Sequence, residues 1–186
     1  AQPYVVRTYL APERDPGAQE QAAALTMLAE VLGGSSATSF LGRNLQFENP
    51  VAIHTSAFYS GLSLDDTTFG LAIVPGPGVT LEAAETALDA AVEAFLIEGV
   101  DQVHLERIKM QIRASQIYAA DNISSLARRY GAGLANGLTV EDIEAWPDVL
   151  QDVTGEDIIE AARAVFQRQN SVTGWLSAPV TEEATQ

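Results

Sequence analysis

Residues 67–119, TTFGLAIVPGPGVTLEAAETALDAAVEAFLIEGVDQVHLERIKMQIRASQIYA, decide how the chain folds. Phe69 to Val74 is an apolar run of strand length. Pro75-Gly76-Pro77-Gly78 stops it, since proline withdraws a ladder donor and glycine admits dihedrals that other residues avoid. Thr80 is placed to cap a helix, with Glu82 in the first turn against the positive end of the helix dipole. Leu81, Ala84, Leu88, Ala91, Val92 and Phe95 recur at helical spacing, and Glu82, Glu85, Asp89 and Glu93 take the opposite face. Gly99 ends that helix and Asp101 caps the next, whose Leu105, Ile108 and Ile112 form a second apolar stripe. Two amphipathic helices after a strand need a common surface to cover, which a sheet with helices on one face provides.

Working outward, Tyr4 to Leu10 reads as a first strand. Asp15-Pro16 predicts an N-cap with proline at the first helical position, and Ala18 to Leu32 a helix stopped by Gly33-Gly34. Ser35 to Gln46 reads as a shorter helix. Val51 to Ser60 reads as a strand with Val51, Ile53, Thr55, Ala57 and Tyr59 on one face, joined to Phe69–Val74 as an antiparallel hairpin because the connection is too short for a crossover. Three further helices are expected: Asn122–Asn136; Val140–Leu150, capped by Thr139 and interrupted at Trp146-Pro147; and one capped by Thr154 with Asp157 three residues on. Asn170–Ser177 closes the chain as a strand. The order β-α-α-β-β-α-α-α-α-α-β is α+β, an antiparallel sheet with helices packed on one face. The expected organisation is one module over residues 1–180 followed by a frayed polar tail, Thr181–Gln186.

Composition removes several classes of function. The 186 residues are 47% hydrophobic and 19% charged, a globular balance, and a chain this long buries roughly 70% of its unfolded surface without staples. A net charge of −15 argues against nucleic acid and against anionic membrane surfaces, and no apolar run approaches the roughly 20 residues that span a bilayer. With no cysteine there is no disulfide framework, thiol nucleophile or thiolate metal site. The start at Ala1-Gln2-Pro3, without methionine or signal peptide, suggests a processed product or a piece of a longer protein.

No motif in the chain carries catalysis. Zinc needs three or four converging ligands, and the two histidines, His54 on a strand and His104 in the first turn of a helix, read as structural or surface residues. There is no Gly-x-Ser-x-Gly elbow. Gly76-Pro77-Gly78 lacks the phosphate-loop fingerprints and reads as a turn. Arg128-Arg129 could clamp a carboxylate but more simply covers acidic neighbours. The run Glu141–Glu160 has acidic residues and no basic one, and reads as a solvated face. No catalytic, cofactor-binding or metal-binding residue is assigned.

Several phrases in order carry a family resemblance: LGGSSATSFLGRNLQ (32–46), VAIHTSAFYSG (51–61), PGPGVTLEAAETALDAAVEAFLIEGV (75–100), DQVHLERIKMQIRAS (101–115) and VTGEDIIEAARAVF (153–166). Together they resemble the pitrilysin/insulinase-type zinc metallopeptidases, the inverted-zinc-motif group that includes the processing peptidases, from about Tyr4 to Pro179. The resemblance implies tandem copies of one α+β module, of which the first bears His-x-x-Glu-His and a downstream Glu. Nothing here matches that motif, so the chain is similar to the second, non-catalytic module. Zinc is then expected in an upstream module of the same chain and none in this segment. The implied partners are that catalytic module, a homologous partner subunit and peptide substrate, with no nucleic acid and no membrane. The implied location is periplasmic or exported. Some members carry a substrate-holding Arg and Tyr seven residues apart; in register these are Gln46 and Ile53, so the pair is absent. The expected role is the C-terminal module of a bacterial-type zinc endopeptidase, contributing chamber wall and domain interface. The rivals are a catalytically inactive assembly module of the same fold and an unrelated α+β binding domain.

Overall fold

The computed structural model describes residues 2–177, so the tail expected at 181–186 lies outside the described residues. Four strands, β1 (Tyr4–Ala11), β2 (Ala52–Tyr59), β3 (Thr67–Pro75) and β4 (Ser171–Leu176), form one antiparallel sheet in the order β2-β3-β1-β4. Seven α-helices accompany them among the described residues: α1 (Glu20–Ala29), α2 (Phe40–Gly42), α3 (Leu81–Glu98), α4 (Gln102–Ala120), α5 (Ile123–Ala135), α6 (Val140–Asp152) and α7 (Gly155–Val165). The architecture is α+β, with the helices against one face of the sheet.

Strand alternation explains which face is covered. Successive side chains point to opposite faces, so directly paired residues share a face. Val5 and Tyr9 of β1 pair with Ile73 and Phe69 of β3, and all four are buried beneath the helices. Helix α3 adds Ala84, Leu88, Ala91 and Phe95, and α7 adds Ile158, Ala162 and Val165. Phe166, just past α7, meets Tyr9 and Phe69 edge-on at 5.1 and 5.5 Å between ring centres, and Phe40 meets Phe95 at 5.2 Å. Such contacts favour the positive ring edge over the negative face and add about 0.5–1.5 kcal/mol each beyond area burial.

Arg7, on the same buried face, is wholly inaccessible. Its guanidinium donates to Asp89 and Glu85 of α3, and its Nε donates to Thr173 Oγ1 of β4 at 2.8 Å. Arg168 bonds the same two carboxylates from the solvent side, and Trp175 Nε1 donates to Glu85 at 2.8 Å. Burying a guanidinium is costly without such partners, and here strand, helix and closing strand are tied at one point.

The caps form where the side chains predict them. Thr80, Asp101, Asn122, Thr139 and Thr154 each accept from a first-turn main-chain N–H. Thr139–Asp142 and Thr154–Asp157 are full capping boxes, with Asp reaching back as Glu usually does. Gly99 ends α3 at φ 82°, a conformation that glycine adopts without strain.

Several expectations are corrected or refined. Ile53 does not share a face with Thr55, Ala57 and Tyr59: a bulge between Ala52 and His54 inserts one extra residue, and Ile53 is half exposed. The helical stretch does end at Gly33-Gly34, but its last turn, Glu30–Gly34, widens into a π-helix before Ser35 turns extended. A β-carbon at Gly33 would collide with the Ala57 main chain, so the glycine is there for close approach to β2. Asp15-Pro16 does not cap α1. Asp15 closes a small turn with Ala18, and Gln19 at the N-cap directs its amide to Arg14 and Asp142 instead. Finally, α6 runs unbroken through Pro147, and Trp146 beside it lies under the Arg14 guanidinium at 3.9 Å. The stretch expected to be helical from Ser35 becomes so only at Phe40, with Ser39 as cap, and continues as a π-helical turn to Glu48.

Candidate functional site

The residues that could carry chemistry do not converge. His54 pairs with Val74 and is exposed on the helix-free side of the sheet. His104 sits in the helical layer at the start of α4, nine-tenths buried, with no hydrogen-bond partner on Nε2. Burial lowers its pKa, opposed by Asp101 and assisted by Arg107 and Arg43. Among the described residues no three His, Asp or Glu side chains gather as a metal would require. The donors present do not fit a zinc ion, which wants three or four at about 2 Å.

The other candidates resolve into structure. Gly76-Pro77-Gly78 is a turn: Gly76 N–H donates to Val51 (2.9 Å), Val79 N–H to Gly76 (3.1 Å), and Gly78 has φ 81°. Arg129 lies against the Tyr130 ring at 5.3 Å, and among the described residues neither Arg128 nor Arg129 reaches a carboxylate. The acidic run behaves as a solvated face, except that Asp142 turns inward. Thr139's main-chain N–H and hydroxyl, then Gly17's N–H, hold its carboxyl below the usual range. Arg14, buried between Gln19, the Asp142 carbonyl and Trp146, is pulled down to about 10 by desolvation. A groove of about 500 Å³ between α1, α6 and α7 has Ala24, Val153 and Ala161 on its floor and Glu20, Asp152 and Glu160 on its rim.

Gln46 and Ile53, the two positions at which the resemblance led an Arg and a Tyr to be sought, meet at the edge of the sheet. With the amide oriented to satisfy both its ends, Gln46 Nε2 donates to the Ile53 carbonyl at 3.2 Å. Its Oε1 accepts from Thr55 N–H at 3.2 Å and from Thr55 Oγ1 at 2.8 Å. The side chain thus occupies the outer edge of β2 beside the bulge, where another strand would pair.

The feature that stands out is the open face of the sheet, which the charge pattern of the sequence did not expose because its members are scattered over four strands. Read across β2-β3-β1-β4, one row is His54, Val74, Tyr4, Leu176. The next is Ser56, Ala72, Val6, Gly174, and the third is Phe58, Gly70, Thr8, Val172. Thr68 and Leu10 begin a fourth. None is Asp, Glu, Lys or Arg, in a chain that is 19% charged. No described helix covers them, and Leu10, Phe58 and Val172 are 55%, 45% and 73% exposed. Phe58 lies over Gly70, where a β-carbon would overlap its ring. A solvent-facing sheet ordinarily alternates apolar-in with polar-out, so a largely apolar outer face without Asp, Glu, Lys or Arg has the character of an interaction surface.

The fold is shared with solved structures. A protease from Helicobacter pylori superposes with a TM-score of 0.85 at 20% identity, over 95% of this chain and 41% of that one. A protein assigned as a zinc protease from Bordetella pertussis Tohama I gives 0.82 at 18%, over 96% of each chain. The periplasmic protease PqqL from Escherichia coli gives 0.66 at 20%, over 94% of this chain and 19% of that one. At such identities these similarities establish the fold alone, and the chain spans less than half the length of the Helicobacter protein. Comparison with curated protein sequences gave no match. The model of the peptidase M16 inactive domain matches residues 1–112, more than half of the sequence, and with it the chain belongs to the peptidase M16 inactive domain family.

Proposed function

We propose that this chain is the C-terminal, non-catalytic module of a zinc-dependent endopeptidase, docking against an upstream catalytic module and walling part of a peptide chamber. The uncharged open sheet face carries this reading, because a surface without charge on so acidic a chain is built to be covered. The family supports the absence of a catalytic role, and the two separated histidines support zinc being held elsewhere. One core running from β1 to α7, with β4 paired to β1, supports treating 1–180 as one module. PqqL is periplasmic, which supports an exported setting here. Among the described residues no helix is long and apolar enough to cross a membrane.

The test compares the isolated chain with the native parent protein, mapped by mass spectrometry upstream of Ala1. The isolated chain is expected to retain no stoichiometric zinc after dialysis and to cleave no peptide, whereas the parent carries one zinc per inverted motif and cleaves. Tight zinc binding or cleavage by the isolated chain overturns the division of labour. A parent without zinc ligands and without activity transfers the chain to the inactive assembly class.

A further inference from the structure

We propose that Asn136-Gly137, where α5 passes into α6, is a site of spontaneous deamidation and isoaspartate formation, and that the modified junction cannot close the end of α5 again. Of the five asparagines, at 44, 49, 122, 136 and 170, Asn136 alone precedes glycine. After the others, Pro50 has no N–H to give up, and the side chains of Leu45, Ile123 and Ser171 crowd the nitrogen that would attack. A β-carbon built on Gly137 meets nothing within 4 Å, so the space beside its nitrogen is open.

In the closed cap both reacting groups are engaged. Asn136 Nδ2 donates to the Ala132 carbonyl at 2.8 Å, and Gly137 N–H donates to the Leu134 carbonyl at 3.2 Å. Reaction therefore runs through an opened cap, and α5 is weakly held. Of its 13 residues it buries only Gly133, and Gly131 and Gly133 each weaken a helix interior relative to alanine. Segments with so few buried contacts are the ones that open locally, well below the free energy of global unfolding.

Once the cap is open, the Gly137 nitrogen attacks Asn136 Cγ. The N–Cγ bond forms, the Cγ–Nδ2 bond breaks, and Nδ2 leaves as ammonia with the proton that Gly137 gives up. Water, the only co-reactant, then opens the cyclic imide. Cleavage between Cγ and nitrogen leaves aspartate. Cleavage at the main-chain carbonyl leaves isoaspartate, with the chain rerouted through Cβ and Cγ. Neither product restores the cap. A carboxylate only accepts, so the bond to Ala132 is lost, and its charge faces the negative end of the α5 dipole. Isoaspartate also lengthens the main chain by a methylene, which takes the Gly137 and Leu138 N–H groups out of register with Leu134 and Gly133. Buried Leu138 and the α6 cap Thr139 follow at once, so the change is felt where α6 begins.

The native full-length protein is aged in mildly alkaline buffer without denaturant, digested, and mapped by mass spectrometry with electron-transfer fragmentation, which separates isoaspartate from aspartate. The peptide holding residue 136 is expected to gain the mass of an amide-to-acid exchange, in both isomeric forms, about tenfold faster than any other asparagine peptide. Gly131→Ala, whose methyl meets nothing, is expected to slow that gain about two- to fivefold by stiffening α5 against opening. Amide hydrogen exchange at Gly137 and Leu138 is expected to rise about tenfold in the modified fraction. A gain at residue 136 no faster than at the other asparagines overturns the site. Aspartate without isoaspartate overturns attack by the Gly137 nitrogen. An unchanged rate in Gly131→Ala overturns the route through α5 opening, and unchanged amide exchange overturns the failure of the cap to close.

Discussion

Replacing Arg7 with methionine is expected to destabilise the chain by about 2–3 kcal/mol. Breaking one side of a buried ion pair usually costs about 3–5 kcal/mol, because the remaining charge is left uncompensated. Two features reduce that here. The Glu85 and Asp89 side chains are 16% and 33% exposed, so water reaches them, and Arg168 continues to pair with both. Methionine fills most of the volume, so the cavity contribution is small. The Thr173 hydroxyl loses its Arg7 donor as well, which loosens β4 at the sheet's edge. For a chain of this length each kcal/mol moves the melting temperature by about 2–4 °C, giving a fall of about 4–12 °C. Urea unfolding should show a lower midpoint with an unchanged slope, since the surface exposed on unfolding is the same. The companion variant Arg7→Met/Glu85→Leu/Asp89→Leu removes the acceptors too and should recover to within about 1 kcal/mol of the parent, as apolar replacements of buried networks commonly do. A single variant losing less than about 1 kcal/mol, or a triple variant no better than the single, would refute the view that compensation of buried charge is what matters at this junction.

Two further perturbations test the packing. Burial disfavours the charged form of His104, so its folded-state pKa lies below the unfolded value of about 6.5. Its contribution is therefore complete above that value and is lost as pH falls from there towards the folded pKa. A urea-midpoint series from pH 8 to 5 should decline below pH 6.5, and His104→Phe should flatten that part of the curve. Glycines should divide by what surrounds them. Gly131 lies within α5 with nothing near its would-be β-carbon, so Gly131→Ala should stabilise by about 0.5–1 kcal/mol. Gly33→Ala drives a methyl into the Ala57 backbone and should destabilise by about 1–3 kcal/mol, both read by thermal melts.

The local phrases of the sequence carried the fold because each element's signals agreed. The spacing of Leu88, Ala91 and Phe95, the Thr80 and Asp101 caps and the Gly99 stop all named the same helices, and the helices named the sheet face that they cover. Where reading failed, a tertiary contact had overruled a local rule. Pro147 should break a helix, yet α6 persists while neighbouring Trp146 packs beneath Arg14. Gln19 displaced Asp15 at the start of α1 as part of the same cluster. The β2 bulge turned Ile53 out of a pattern that is regular in sequence. The open face was illegible for a different reason. No single strand on it is unusual: Tyr4, Val6, Thr8 and Leu10 read as an ordinary half-polar strand edge. Only the register, by setting Val6 beside Ala72 and Gly174, reveals that charge is missing from the whole surface.

The seal that Gln46 places on β2 also limits what this module can polymerise into. A sheet whose two edges are both receptive can recruit copies at each end and lengthen without bound, which is how fibres begin. Here one terminus is capped by a side-chain amide and a bulge. Edge-to-edge pairing through β2 is thereby obstructed around Ile53 and Thr55.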